Sequence, residues 1–184
     1  MKSLAELHAT LADADCLYTE QQIDSVLDDL AGRIAADYKD KIPLLLCVMN
    51  GGMFVMAGIL RRLQIPLECD YMHVTRYRGK TSGGELHWVA KPKTEIKNRH
   101  VLIMDDIYDE GFTLQEILKY CREENAASVE GCVLVRKQHS RAKAEMDIKY
   151  LGVDVPDRYV FGCGMDYEHY FRNLNGVYAL KENK

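Results

Sequence analysis

Apolar positions along this chain switch between two spacings, and each switch marks a change of element. Over residues 1–40 they recur at helical spacing, and the whole stretch reads as helical. Ile23, Val26, Leu27, Leu30 and Ile34 would turn one face to the core, and Thr19 with Gln22 fits a capping box at the start of that face. The run PLLLCVM at 43–49 is apolar without interruption and short, which predicts a buried strand. Asn50-Gly51-Gly52 makes a turn, and a helix is expected over 53–64, closed by Pro66. Residues 67–75 alternate as a strand does.

The next apolar run is Val101, Leu102, Ile103 and Met104, too short for a helix. Asp105 and Asp106 stand where that strand would end, followed by Asp109, Glu110 and Gly111. Thr113 precedes Leu114, Ile117 and Leu118, again at helical spacing, so a helix is expected over about 113–124. Residues 128–135 give another strand, and RKQHSRAK at 136–143 a basic turn. Short strands are expected near 147–152 and 158–162. Strands alternating with helices predict an α/β fold: one domain over 1–184 with a central, mainly parallel sheet flanked by helices. A small hood would come from the C-terminal and N-terminal segments, the tail after residue 136 lying over the sheet's edge.

Composition narrows the function classes. At 184 residues the chain can bury a proper core, and 47% hydrophobic with 28% charged residues is an ordinary globular balance. The net charge of −4 argues against a general nucleic-acid surface. No apolar run approaches a membrane span, and the acidic, amphipathic start is unlike a signal peptide. The six cysteines are scattered without C-x-x-C, which reads as reduced core thiols in a cytoplasmic protein rather than a zinc site. Neither the G-x-x-x-x-G-K-[ST] nor the G-x-G-x-x-G nucleotide fingerprint occurs.

The chemistry concentrates in VLIMDDIYDEGFTL, residues 101–114. It reads as strand, acidic loop and helix start, the place where open α/β sheets bind ligands. A helix N-terminus favours phosphate, Gly111 allows close backbone approach, and the Thr113 hydroxyl can add a donor. The acids would repel a phosphate unless something lies between. Carboxylates accept hydrogen bonds from a sugar diol and suit Mg²⁺. The loop therefore fits a phosphorylated sugar with its metal; the plain alternative is a solvated acidic turn. Asn50-Gly51-Gly52 alone is as readily a tight turn as a site. The glycine-rich basic stretch at 76–85 is either a lid or a solvated hairpin.

VLIMDDIYDEGFTL resembles the phosphoribosyl pyrophosphate (PRPP) signature of type I phosphoribosyltransferases. The likeness covers roughly residues 15–180. VPDRYVFGCGMDYEHYFRNL, at 155–174, is similar to the C-terminal segment of the hypoxanthine-guanine phosphoribosyltransferases. The resemblance implies Mg²⁺-dependent transfer of ribose-5-phosphate from PRPP to a 6-oxopurine, and a homo-oligomer, dimer or tetramer. It assigns PRPP to Asp105, Asp106, Asp109, Glu110, Gly111, Phe112 and Thr113, with Asp109 as general base. Pyrophosphate would meet Asn50, Gly51, Gly52 and Arg172, under a lid carrying Arg76 and Tyr77. The purine would stack on Tyr159, meet backbone groups of Val160, and be lined by Met165 and Asp166. Lys137 would donate to the C6 oxygen, with Arg136 the alternative if the register slips by one. Metal would be held by Asp105 and Asp106, and by Asp166 through water. On the residues alone Tyr159 reads as core and Arg172 as a surface charge.

Three departures from the family pattern stand out. Glu110 replaces a Thr or Ser, and Phe112 a frequent Lys, Arg or Asn, which leaves more of the phosphate to backbone N–H groups. Asn50 replaces a frequent Lys or Arg. Arg76-Tyr77 stands where Ser-Tyr is common. Two other readings are a xanthine-preferring enzyme and a regulatory RNA-binding relative of the same fold.

Overall fold

The computed structural model describes residues 1–76 and 86–181. Helices α1 (Leu4–Asp13) and α2 (Glu20–Tyr38) open the chain, each starting in a capping box, Ser3 with Glu6 and Thr19 with Gln22. Between them lies strand β1 (Asp15–Tyr18), so residues 1–40 are not wholly helical. Four residues carry too little pattern to announce a strand, and the partner of β1 is at the far end of the chain.

Then follow β2 (Pro43–Met49), α3 (Met53–Leu60), β3 (Glu68–Arg76), β4 (Leu86–Ala90), β5 (His100–Tyr108) and α4 (Phe112–Glu123). The chain ends in β6 (Ser128–Gln138), β7 (Tyr150–Pro156), β8 (Val160–Phe161) and β9 (Val177–Ala179). The main sheet has the order β4-β3-β2-β5-β6-β7. Neighbours from β3 to β7 pair in parallel, while β4 runs antiparallel to β3. A second sheet, β1-β9-β8, joins the two ends of the chain as an antiparallel hood.

Several bounds differ from the sequence expectation. α3 stops at Leu60, four residues early. β7 joins the main sheet, so the tail after 136 is only partly hood. β5 and β6 both outrun their apolar stretches because they hold each other in register, Asp105 opposite Val133 and Tyr108 opposite Arg136. The paired acids and Arg136-Lys137 are therefore strand residues.

Strand alternation builds two cores. Leu45, Cys47, Leu102 and Met104 pack with α2, α3 and the hood residues Val160, Cys163 and Val177. Leu44, Leu46, Val101 and Ile103 pack on the other face with Leu114, Ile117 and Leu118 of α4. The hood is fastened by Arg158, whose Nη2 donates to Asp15 Oδ2 and to Leu180 O, both at 2.6 Å. Tyr18 OH donates to Asp154 O of β7 at 2.8 Å.

Candidate active site

The carboxyl ends of β2, β5 and β6 meet the hood, and there the candidate residues gather. The alternation that divides the core also divides the acid pair. Asp106 follows Leu102 and Met104 toward the α3 side, where a Cβ on Gly51 would overlap its carboxylate. Asp105 follows Val101 and Ile103 toward α4. It lines a cavity of ≈ 440 Å³ with Asp109, residues 110–114 and Arg141. The two carboxyl groups still influence each other. Burial first, then the Asp106 charge, pushes Asp105 well above the usual carboxylate range. Burial also raises Asp106, against hydrogen bonds from Asp105 and the Ile107 amide and against the Arg172 charge. No group of three or more His, Cys, Asp or Glu forms a ready-made metal cage among the described residues.

Beyond β5, Gly111 takes φ 78° and caps α4 without a side-chain bond. Glycine suits that left-handed position because a Cβ there would run into the Tyr108 ring. Phe112 and Thr113 open the helix at the mouth of the cavity. Asp109 meets a cluster of basic groups. Lys137 Nζ lies 3.2 Å from Oδ2 and Arg141 Nη2 2.9 Å from Oδ1. Burial acts to raise Asp109, but the Lys137 and Arg141 charges outweigh it and hold the group below its ordinary value. Arg136 faces away and grips Asp154 through Nε and Nη2 at 2.7 and 2.9 Å.

On the α3 side, the Met49–Asn50 peptide bond is cis and the Asn50 side chain is exposed. Gly51 and Gly52 are buried. The hood loop reaches this turn so closely that a Cβ on Gly164 would strike Gly51 O. Arg172 is fixed by its Nη1 on Gly164 O at 2.7 Å and its Nη2 on Asp166 Oδ1 at 2.6 Å. Asp166 Oδ2 accepts from the His169 amide at 2.7 Å. Tyr159 is half-exposed, its ring edge-on to Tyr167 at 5.8 Å. Leu180 N–H donates to Tyr159 O, so in the ladder alternation Val160 directs its own N–H and C=O to the open edge of the hood. Met165 is buried in the core beneath. Arg76 ends β3, while Tyr77 and the rest of the expected lid lie outside the described residues.

A family model for the phosphoribosyl transferase domain matches residues 13–168. The chain belongs to the phosphoribosyltransferase family. It is 34% identical over 167 residues to the hypoxanthine-guanine-xanthine phosphoribosyltransferase of Tritrichomonas foetus, covering 91% of each chain. It is 33% identical over 166 residues to the hypoxanthine-guanine phosphoribosyltransferase of Staphylococcus epidermidis, covering 90% of this chain and 92% of that one. A crystal structure of a Staphylococcus aureus hypoxanthine phosphoribosyltransferase superposes with a TM-score of 0.88 at 30% identity, covering 98% and 97% of the two chains.

Two residues of this phosphoribosyltransferase's site were not anticipated. Arg141 reaches Asp109 and lines the same cavity. The His139 side chain is almost wholly buried, with Nε2 2.8 Å from Asp109 Oδ1. The signal was present in RKQHSRAK. Lys137 is the penultimate residue of β6, and His139 and Arg141 follow in the bend that leaves it.

Proposed function

We propose that this enzyme serves purine salvage by moving ribose-5-phosphate from PRPP to N9 of hypoxanthine or guanine, forming IMP or GMP and releasing pyrophosphate. The observation that carries the reading is Lys137 3.2 Å from Asp109, beside a cavity that begins at the start of α4. An acid and an ammonium at that separation match N7 and the C6 oxygen, which lie on one edge of a 6-oxopurine. The names of the relatives point to the same bases.

In this reading the α4 start binds the 5′-phosphate, and Asp105 and Asp106 accept from the ribose hydroxyls. As the bond from C1 to the pyrophosphate oxygen breaks and the bond from C1 to N9 forms, Asp109 holds the proton released by the purine at N7. Tyr159 covers one face of the base, and Val160 offers its outward backbone groups to the purine edge. Arg172 and the 50–52 turn receive the pyrophosphate. Closure of the lid with Arg76 and Tyr77 would exclude water from the ribosyl cation.

Mg²⁺ fits the donor set. Asp105 and Asp106 are neighbouring, desolvated oxygen donors, and no ion pair neutralises Asp105 among the described residues. Mg²⁺ commonly takes one or two carboxylates and completes its shell with water and substrate oxygens. Asp166, already held by Arg172 and the His169 amide, would act through water. When bound, the ion supplies charge neutralisation to the leaving pyrophosphate. A cytoplasmic homo-oligomer, dimer or tetramer, belongs to the same proposal.

The test is nucleotide formation from PRPP and Mg²⁺ with hypoxanthine, guanine, xanthine and adenine in parallel. Hypoxanthine and guanine should turn over. Xanthine use would extend the reading in the direction that the Tritrichomonas relative's name suggests. Adenine as the best substrate would overturn it, and no turnover with any base would favour a regulatory relative.

A further inference from the structure

Arg141 is the one basic residue among those lining the cavity, whose other charged members are Asp105, Asp109 and Glu110. Residues 110–113 offer no cation: Glu110 is acidic, Gly111 bare, Phe112 apolar and Thr113 neutral. The helix start contributes a partial charge of only about +0.5. A phosphate dianion entering here meets more negative charge than positive unless Arg141 turns to it.

The geometry lets it turn. The Arg141 side chain is 46% exposed, and residues 139–149 form no helix or strand. Three acids face the guanidinium. Nη2 donates to Asp109 Oδ1 at 2.9 Å and to Asp157 Oδ1 at 2.8 Å, while Nη1 lies 3.9 Å from Glu110, beyond hydrogen-bond range. Of five guanidinium donors, those on Nη2 are engaged here. The segment is anchored beside the phosphate loop, because Ala144 N–H donates to Glu110 O and Tyr108 OH donates to Ala144 O, both at 2.8 Å. Arg141 can therefore swing without leaving the cavity.

We propose that Arg141 is this chain's binding residue for the 5′-phosphate of the sugar substrate, and that it leaves Asp109 to bind it. This rests on the PRPP reading above and deepens it. Arg141 replaces the cation missing from 110–113, since a guanidinium matches phosphate bidentately. Its departure frees Asp109 Oδ1 from the guanidinium and leaves His139 Nε2, at 2.8 Å, as its basic neighbour. Phosphate binding at one end of the cavity thus readies the acid at the other, and the sugar phosphate primes the site for the base.

Calorimetry with ribose 5-phosphate, PRPP, pyrophosphate and hypoxanthine tests the idea on wild type, Arg141→Gln and Arg141→Lys. Arg141→Gln should weaken ribose 5-phosphate roughly 10–100-fold, the range for a lost charge-assisted hydrogen bond, with Arg141→Lys between it and wild type. Pyrophosphate affinity should stay unchanged. Ribose 5-phosphate should tighten hypoxanthine binding in wild type but not in Arg141→Gln. Ribose 5-phosphate affinity within twofold of wild type in Arg141→Gln overturns the phosphate role. Coupling that persists in the variant overturns the release of Asp109. A wild type that binds neither ribose 5-phosphate nor PRPP brings down the parent reading instead, and this inference with it.

Discussion

Lys137 Nζ lies 3.2 Å from Asp109 Oδ2, the lysine near the end of β6 and the acid one residue past the end of β5. These strands are parallel neighbours in continuous register up to Tyr108 and Arg136. Sheet pairing rather than loop geometry sets the separation, which would suit the proposed reading of fixed atoms on a rigid purine ring.

Asp109→Asn should keep PRPP binding and lower turnover by roughly 10²–10⁴-fold, the usual contribution of a positioned general acid or base. Single-turnover kinetics with saturating PRPP measure it. Turnover within a few-fold of wild type would remove Asp109 from proton transfer.

Asp105 couples stability to pH in the direction opposite to a salt-bridged acid. Its folded pKa is raised by burial and by Asp106. The folded chain therefore binds more protons than the unfolded chain between the ordinary carboxylate pKa and the raised one. Stability falls as pH rises through that window. Asp105→Asn should melt higher than wild type at neutral pH, with the gap closing as pH approaches the ordinary carboxylate range. Asp105→Asn with Asp106→Asn should weaken PRPP binding in Mg²⁺ despite any stability gain. Melting curves across pH and a PRPP titration decide both points. A double variant with undiminished PRPP affinity would make the pair a purely structural feature.

Gly164 joins the hood to the 50–52 turn. It takes φ 102°, and a Cβ there would strike Gly51 O. Gly164→Ala should cost about 1–3 kcal/mol for the backbone conformation alone, more with the collision, and should weaken pyrophosphate binding by pushing Gly51 from Asp106. Denaturant titration and pyrophosphate binding measure the two effects. A fully stable variant with intact binding would mean that the hood shifts freely.

The sheet was legible because its strands are continuous apolar runs and its longest amphipathic helix carries a capping signature, Thr19 with Gln22. What stayed hidden depends on distant partners. β1 and β9 are three or four residues long and exist only because they pair across the two ends of the chain. Asp105, Asp109 and residues 110–114 lay in one contiguous motif, and the structure brings them to one cavity. The convergence of His139 and Arg141 on Asp109 depends on where β6 ends and on the bend after Gln138, and the end of β6 is set by its pairing with β5 and β7 rather than by its own apolarity. The resemblance favoured Lys137, with Arg136 the alternative one position away. In the sheet they face opposite ways, one toward Asp109 and the other toward Asp154.

Asn50→Lys should tighten PRPP and pyrophosphate binding and steepen their salt dependence, because an exposed added charge is screened by ions. Asn50 is exposed beside the buried Gly51-Gly52 turn, so the longer side chain meets no core. Affinities at two ionic strengths measure it. Identical values for variant and wild type would show that this side chain points away from the ligand.

In the proposed reading base choice turns on Lys137. An ammonium has donors only, and this one is 12% exposed, so bulk water does little for it. The C6 oxygen of hypoxanthine or guanine would accept from it. Adenine would set an amino donor against it and leave both groups unpaired, which costs about 1–3 kcal/mol or more for a charged group. Sites that demand a hydrogen bond can reject the mismatched analogue by up to about 10⁴-fold or more. Wild type should use the oxopurines and nearly ignore adenine. Lys137→Ala should lose most oxopurine activity without tightening PRPP. Lys137→Gln, able to present a donor or an acceptor, should narrow the gap to adenine. Arg136→Ala should lose the Asp154 pair and leave base preference unchanged, because its guanidinium lies on the opposite face of β6 from Asp109. Steady-state kinetics with hypoxanthine, guanine and adenine across the three variants separate these outcomes. A change of preference in Arg136→Ala with none in Lys137→Ala would reverse the assignment.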